Sequence, residues 1–200
     1  MSDSGGKMDV NVQPINGNWD LGYSLDKHVL SSVYIGENQW GHPEFDTTRS
    51  DAGEALFKLK YRRDYDQIPI IGAQMFESLS GYFSSASLVV PMPPSIARAR
   101  QPVIELAREL ANNMGIPCYE ELLIKKIITS QMKDIESRKD KDDTLINAFS
   151  VNDQLGEGLH DILIVDDLFD SGSSLEAAAT ILRDYSKIRN IFVAVVTRKR

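Results

Sequence analysis

The apolar run Ile162-Leu163-Ile164-Val165 stops on two adjacent acids, Asp166 and Asp167, and this junction constrains the fold more than any other segment. Four branched aliphatic residues without alternation describe a strand buried on both faces. Such a strand belongs to a parallel sheet covered by helices, because a sheet with one wet face would alternate apolar and polar residues. The expected fold class is therefore α/β, an open and mostly parallel sheet flanked by helices. In open sheets of this kind ligands gather beyond the carboxyl ends of the strands, which is where Asp166 and Asp167 fall.

The residues that follow supply a second half to the same place. Asp170-Ser171-Gly172-Ser173-Ser174 is a small polar turn, and a helix opens from Gly172 with Leu175, Ala178, Ala179 and Leu182 on one side. Backbone N–H groups, three serine hydroxyls and the positive end of a helix suit a phosphate. Gly172 lets the main chain approach a ligand without a Cβ in the way. The paired aspartates would repel a phosphate at close range, so they face sugar hydroxyls or a magnesium ion. A phosphorylated sugar satisfies both halves. A single Asp or Ser would be read as a cap, but the whole string after a buried strand points to ligand binding.

The rest of the chain divides into three stretches. Residues 1–17 carry Ser, Asp, Gly and Asn without periodicity and read as a flexible leader. Residues 18–66 form a small N-terminal α+β lobe, in which Trp19 to Ile35 alternates as a pair of strands and Ser50 caps a short helix. Residues 67–200 form the main domain. Within it Ile68 to Phe83 is an amphipathic helix, and Leu88-Val89-Val90 is a buried strand that leaves the sheet at Pro91-Met92-Pro93-Pro94. Ser95 is expected to cap a helix that carries Ile96, Val103, Leu106 and Leu110 and stops at Gly115. Leu122-Leu123-Ile124 and Asn190 to Val196 are further strands. Lys125 to Asp143, dense in charge and poorly periodic, reads as a long mobile loop of the kind that is commonly functional.

Composition narrows the function classes. The net charge of −7 argues against a broad grip on nucleic acid, so no direct nucleic-acid binding is expected. The one cysteine, Cys118, excludes an internal disulfide and a cysteine zinc site, and is expected to be a buried thiol. His28, His42 and His160 lack ligand spacing. Trp19 and Trp40 are assigned to the core of the N-terminal lobe, and Lys60-Tyr61-Arg62-Arg63 to the surface, with an acceptor site as the other option. No apolar stretch approaches the roughly 20 residues of a membrane span, and no signal peptide is recognised, so the expected location is the cytoplasm.

The acid pair and Ser-Gly-Ser-Ser turn resemble the ligand motif of type I phosphoribosyltransferases. Val89-Val90-Pro91-Met92-Pro93 with Arg98, Arg100 and Gln101 resembles the pyrophosphate loop of the ComF-like, competence-associated branch. So do Thr129, Gln131, Arg138, Asn147 and Phe149, and the N-terminal Gly22 to Asp26, Gly53 to Leu56 and Leu59-Lys60-Tyr61. The resemblance spans roughly residues 19 to 200; the four-cysteine module of many such proteins is missing, and Ile127 stands where a basic residue is common. It implies a phosphoribosyltransferase-like domain, with residues 18–66 as a hood that supplies the acceptor pocket. Asp166 and Asp167 would hold the ribose hydroxyls and Mg²⁺, Asp170 to Ser174 the 5′-phosphate, and Pro91, Met92 and Pro93 the pyrophosphate. Asp170, Lys125, Lys126 and Arg138 would act on the base or leaving group. For the three cations a solvated face remains the other reading. The implied ligand is phosphoribosyl pyrophosphate or a nucleotide, the acceptor a base or an amine, and the resemblance makes a homodimer plausible. A binding protein without turnover, regulatory or serving DNA uptake, is the alternative.

Overall fold

The apolar runs become neighbouring strands of one sheet in the computed structural model, which describes residues 7–96, 98–126 and 146–199. Along the chain, β1 (Gln13–Pro14) and β2 (Leu21–Lys27) precede a hairpin of β3 (Val29–Glu37) and β4 (Pro43–Arg49). Helix α1 (Asp51–Phe57) runs into a π-helical turn, Lys58–Arg62, followed by α2 (Gln67–Leu79), β5 (Leu88–Pro91) and α3 (Pro102–Met114). The chain closes with β6 (Leu123–Lys125), β7 (Phe149–Val151), β8 (His160–Phe169), α4 (Ser173–Arg183) and β9 (Ile188–Arg198).

The main sheet has the order β1-β2-β9-β8-β5. β1 is antiparallel to β2 and every other pair is parallel. Successive residues of a strand point to opposite faces, and here each face has its own core. Leu163, Val165, Ala194 and Val196 pack with Leu56, Ile71, Met75, Leu106 and Leu110 of α1, α2 and α3. Ile162, Ile164, Val193 and Val195 pack with Leu175, Ala178 and Leu182 of α4 and with Trp19. Two covered faces are the reason the run 162–165 shows no polar alternation. Each large aliphatic side chain so buried contributes about 1.5–3 kcal/mol. The open, mostly parallel α/β sheet is the expected fold class.

Local rules account for the element ends. Ser50 accepts a hydrogen bond from the Gly53 N–H at 3.0 Å and caps α1. Gly115, in the left-handed region at φ 69°, closes α3. The start of α3 differs from expectation: residues 95–101 precede the helix, which begins at Pro102, and Ile96 is exposed. The proline explains this. Its fixed φ suits the first helical position, and it pushes the preceding Gln101 into an extended conformation that a helix from Ser95 could not contain.

Other placements also differ. Leu123 to Lys125 does not join the main sheet but pairs antiparallel with β7. Trp40 is 72% exposed, so it is no part of a core, whereas Trp19 is buried. In the described part of the expected leader, Met8 and Ile15 are buried and Met8 N–H donates to Gln74 Oε1 at 3.1 Å. β2, assigned by sequence to the N-terminal lobe, lies inside the main sheet between β1 and β9. The β3–β4 hairpin and α1 follow it.

Candidate functional site

The site arises because two adjacent parallel strands have unequal lengths. β5 stays in register with β8 only as far as Pro91 opposite Val165. The Met92 N–H still reaches the Val165 carbonyl at 2.8 Å, and then the chain turns away through Pro93 and Pro94. β8 continues to Phe169, paired on its other side with β9 as far as Arg198. The acid pair therefore lies within a strand, not at its end as the sequence implied, but beyond the end of its neighbour. A cleft of about 310 Å³ opens there.

Four pieces of chain line it. Asp166 to Leu175 forms one wall; Met92 to Ile96 forms the opposite one; Arg98, Gln101, Pro102 and Val103 lead into α3; and Lys60, Lys125 and Phe149 close the remaining side. Asp166, Asp167, Asp170, Ser171, Gly172, Ser173, Ser174, Met92, Pro93 and Lys125 thus come together as the sequence reading required. Pro91 does not line the cleft; it is buried in β5. Lys126 is exposed, engages the fold through its N–H to the Ala148 carbonyl at 2.7 Å, and is not among the lining residues. Arg138, Thr129 and Gln131 lie outside the described residues, as does most of the expected charged loop. Of the two arginines before α3, Arg98 reaches the cleft. Arg100 turns outward, paired with Glu105 and stacked over Tyr65 at 3.7 Å.

The acids are held by specific partners. The Asp167 N–H donates to Asp166 Oδ1 at 2.8 Å, and Lys60 Nζ lies 2.8 Å from Asp167 Oδ2. Burial, and secondly the charge of Asp167, push the Asp166 carboxyl up to about 7; the Asp167 N–H, Lys60 and Lys125 act in the opposite sense. A cation beside the pair would act as Lys60 and Lys125 do and favour the ionised form of Asp166. Asp170, more exposed, pairs with Lys199. Lys125 Nζ reaches Ser95 Oγ at 3.3 Å above the Phe149 ring.

The turn between β8 and α4 has the shape of an anion cradle. Gly172 sits in the left-handed region at φ 83°, and a Cβ there would lie 2.9 Å from the Phe169 ring. Its glycine is therefore fixed by the backbone and by that ring, reasons independent of any ligand. Gly172, at the N-cap of α4, offers no side-chain cap, and the Ser173 N–H reaches Ser171 Oγ at 3.4 Å. Ser171 Oγ lies 3.2 Å from Ser173 Oγ, and Ser174 is exposed beside them.

Of the cluster Lys60 to Arg63, read from sequence as surface with an acceptor site as the other option, Lys60 lines the cleft. Tyr61 is indeed 65% exposed, but Lys60 turns inward. The π-helical turn separates the two, ending at Arg63 with φ 57°. Such turns recur at functional sites, yet no spacing of apolar residues announces one. Elsewhere Cys118 is partly buried, and desolvation pushes its thiol up to about 12, which leaves it a poor nucleophile. Among the described residues no group of three His, Cys, Asp or Glu side chains could hold a metal ion by itself, and no helix is long and apolar enough to cross a membrane.

No protein-family model matches the chain, and no curated protein does. Solved structures do. Adenine phosphoribosyltransferase from Trypanosoma brucei, in complex with AMP, pyrophosphate and ribose-5-phosphate, superposes with a TM-score of 0.50 at 10% identity, over 94% of this chain and 75% of that one. Xanthine-guanine-hypoxanthine phosphoribosyltransferase from Helicobacter pylori gives 0.44 at 19% identity, over 68% and 76%. A hypothetical protein from Neisseria gonorrhoeae with bound ppGpp gives 0.44 at 16%, over 67% and 68%. The chain has the α/β fold found in type I phosphoribosyltransferases, a mostly parallel sheet flanked by helices.

Proposed function

We propose that the cleft binds phosphoribosyl pyrophosphate together with Mg²⁺, and that the protein transfers the phosphoribosyl group to a base or an amine. One observation carries this reading: a carboxylate pair and a serine-rich helix start line the same cleft, with Lys60, Arg98 and Lys125 around them. The residues present fit a magnesium ion. Mg²⁺ is bound by one or two carboxylates and completes its octahedron with water and phosphate oxygens, and Asp166 with Asp167 offers that much. When bound, the ion would neutralise charge on the departing pyrophosphate.

The chain's own residues do the rest. Ser171, Ser173, Ser174 and the N–H groups of the first turn of α4 hold the 5′-phosphate, while the acid pair accepts hydrogen bonds from the ribose hydroxyls. Met92 and Pro93 lie where the pyrophosphate would rest, and Lys60, Arg98 and Lys125 offset its charge. Asp170, paired with Lys199, stands on the side from which an acceptor would approach. Holding both reactants in line is itself worth several kcal/mol, up to about 7–11 in the best intramolecular cases.

The test is thermal unfolding of the full chain with phosphoribosyl pyrophosphate and Mg²⁺. Ligand at about 100 times its dissociation constant stabilises by roughly 2.7 kcal/mol, a rise of a few degrees at this size. The rise should need Mg²⁺ and vanish in the double variant Asp166→Asn, Asp167→Asn. An equal rise in that variant overturns the site. Binding without release of pyrophosphate across a panel of bases and amines would instead identify a ligand sensor.

A further inference from the structure

The carboxyl end of the sheet holds a second cavity, of about 560 Å³, whose lining includes Asn11, Gln13, Asn16, Lys27, Phe169 and Arg198. Three of these residues stand in one row. Lys27 on β2 is in register with Arg198 on β9, and Arg198 with Phe169 on β8. The row is the last rung of the parallel strands, the level at which open α/β sheets hold ligands.

Arg198 is the unusual member. It is only 6% exposed, yet among the described residues no carboxylate approaches its guanidinium within the 4.0 Å of an ion pair. One nitrogen, Nη1, donates to the Asn11 carbonyl at 3.2 Å and to Ser24 Oγ at 2.9 Å. The remaining donors are not sealed unpaired in the interior, and the residue lines the cavity. A guanidinium carries five N–H donors, and a buried cation without a close counter-ion is costly. Burial accordingly lowers its pKa, against a smaller opposing effect of Asp26. Lys27, in register with Arg198 on the neighbouring strand, brings a second positive charge to the lining of the same cavity. A purely structural arginine would be better placed beside a carboxylate. An oxyanion in the cavity would give Arg198 the counter-ion it lacks, with Lys27 at the same rim.

We propose that this cavity is an oxyanion site, in which Arg198 and Lys27 hold the phosphate or carboxylate group of a small molecule other than the ligand of the main cleft. The side-chain amides of Asn11, Gln13 and Asn16 supply further polar contacts for that molecule. Phe169 lines both places, so the two ligands would lie on either side of one ring.

The experiment is an NMR titration of the ¹⁵N-labelled full chain with orthophosphate and, separately, with acetate, at ionic strength held constant with chloride. With one or both anions we expect saturable shifts at the amides of Lys27 and Arg198 and in the segment Asn11 to Asn16. The anion that gives them distinguishes a phosphate from a carboxylate ligand. Lys27→Gln should weaken this binding tenfold or more, and Lys27→Arg should restore most of it. Lys27 is exposed and joins the fold through its backbone, its carbonyl accepting from Ser50 Oγ, so these variants keep the structure even if Arg198→Gln does not. The proposal is overturned by shifts confined to Ser171–Ser174, by no saturable shift, or by unchanged affinity in Lys27→Gln. Shifts at the serine turn report on the main cleft separately, so either reading can fail alone.

Discussion

Asp161 shows how one side chain ties pH to stability in this fold. It is buried at the start of β8, where Arg189 donates to both its oxygens at 2.8 and 2.7 Å and Asn190 donates at 2.9 Å. Hydrogen bonding by Arg189 holds its carboxyl below the ordinary range, outweighing desolvation. The folded state then binds fewer protons than the unfolded one, so stability rises with pH through this interval. The contribution is complete above the ordinary carboxylate pKa and disappears as pH falls through the lowered folded value. Asp161→Asn should cost about 1–2 kcal/mol at neutral pH, discounted because Arg189 is itself half exposed. In acid urea titrations the variant and the parent should converge; a gap that persists throughout would assign the loss to geometry and not to charge. Lys60 makes the opposite prediction. Its pair with Asp167 lies at the edge of a cleft and is worth about 1 kcal/mol or less to folding. A charge-assisted contact to a bound phosphate is worth about 1.5–3 kcal/mol. Lys60→Met should therefore leave the melting temperature nearly unchanged while weakening phosphoribosyl pyrophosphate about tenfold or more, as read by calorimetric titration.

At the scale of elements, the β3–β4 hairpin stands apart from the sheet. Leu30, Val33, Tyr34, Ile35 and Phe45 are all more than half exposed, and its aromatic contact, Tyr34 on Phe45, is internal. Two-stranded hairpins are marginal on their own, so its amides should exchange with deuterium far sooner than those of β8 and β9. Protection equal to the central strands would show that the hairpin is covered in solution. This element also marks the limit of what the sequence made legible. Its alternating residues announce strands, but alternation does not say whether any core lies beneath them, and Trp40 was misassigned for that reason. β8, β9 and α4 were legible because burial on both faces leaves an uninterrupted apolar run. The acid pair and serine turn were legible because they are contiguous in the chain. Lys60 joins the cleft through a π-helical turn, and Arg198 becomes a buried cation through strand register. Neither relation exists between sequence neighbours. The start of α3 was readable in principle from Pro102, but Ser95 offered a competing cap.

The molecule as a whole is one sheet between two cores, and α3 enters both, with Leu106 and Leu110 in the first and Val103 in the second. Leu163 belongs to the first core and its neighbour Ile164 to the second, and both are fully buried. Strands and α3 are common property of the two layers, and neither core survives once the β8–β9 pairing is lost. A single cooperative transition follows. Trp19, buried in the second core, is a natural probe, and Trp40→Phe removes the signal of the exposed tryptophan at little cost, since that side chain packs on nothing large. In that background Trp19 fluorescence and far-ultraviolet circular dichroism should report the same midpoint. Leu163→Ala, on the face away from Trp19, and Ile164→Ala, on the same face, should each cost about 2–5 kcal/mol. Both should move the fluorescence and dichroism midpoints together. If Leu163→Ala lowered the dichroism transition and left Trp19 in place, the two layers would be separate folding units, and the cleft at their common edge could open without global unfolding.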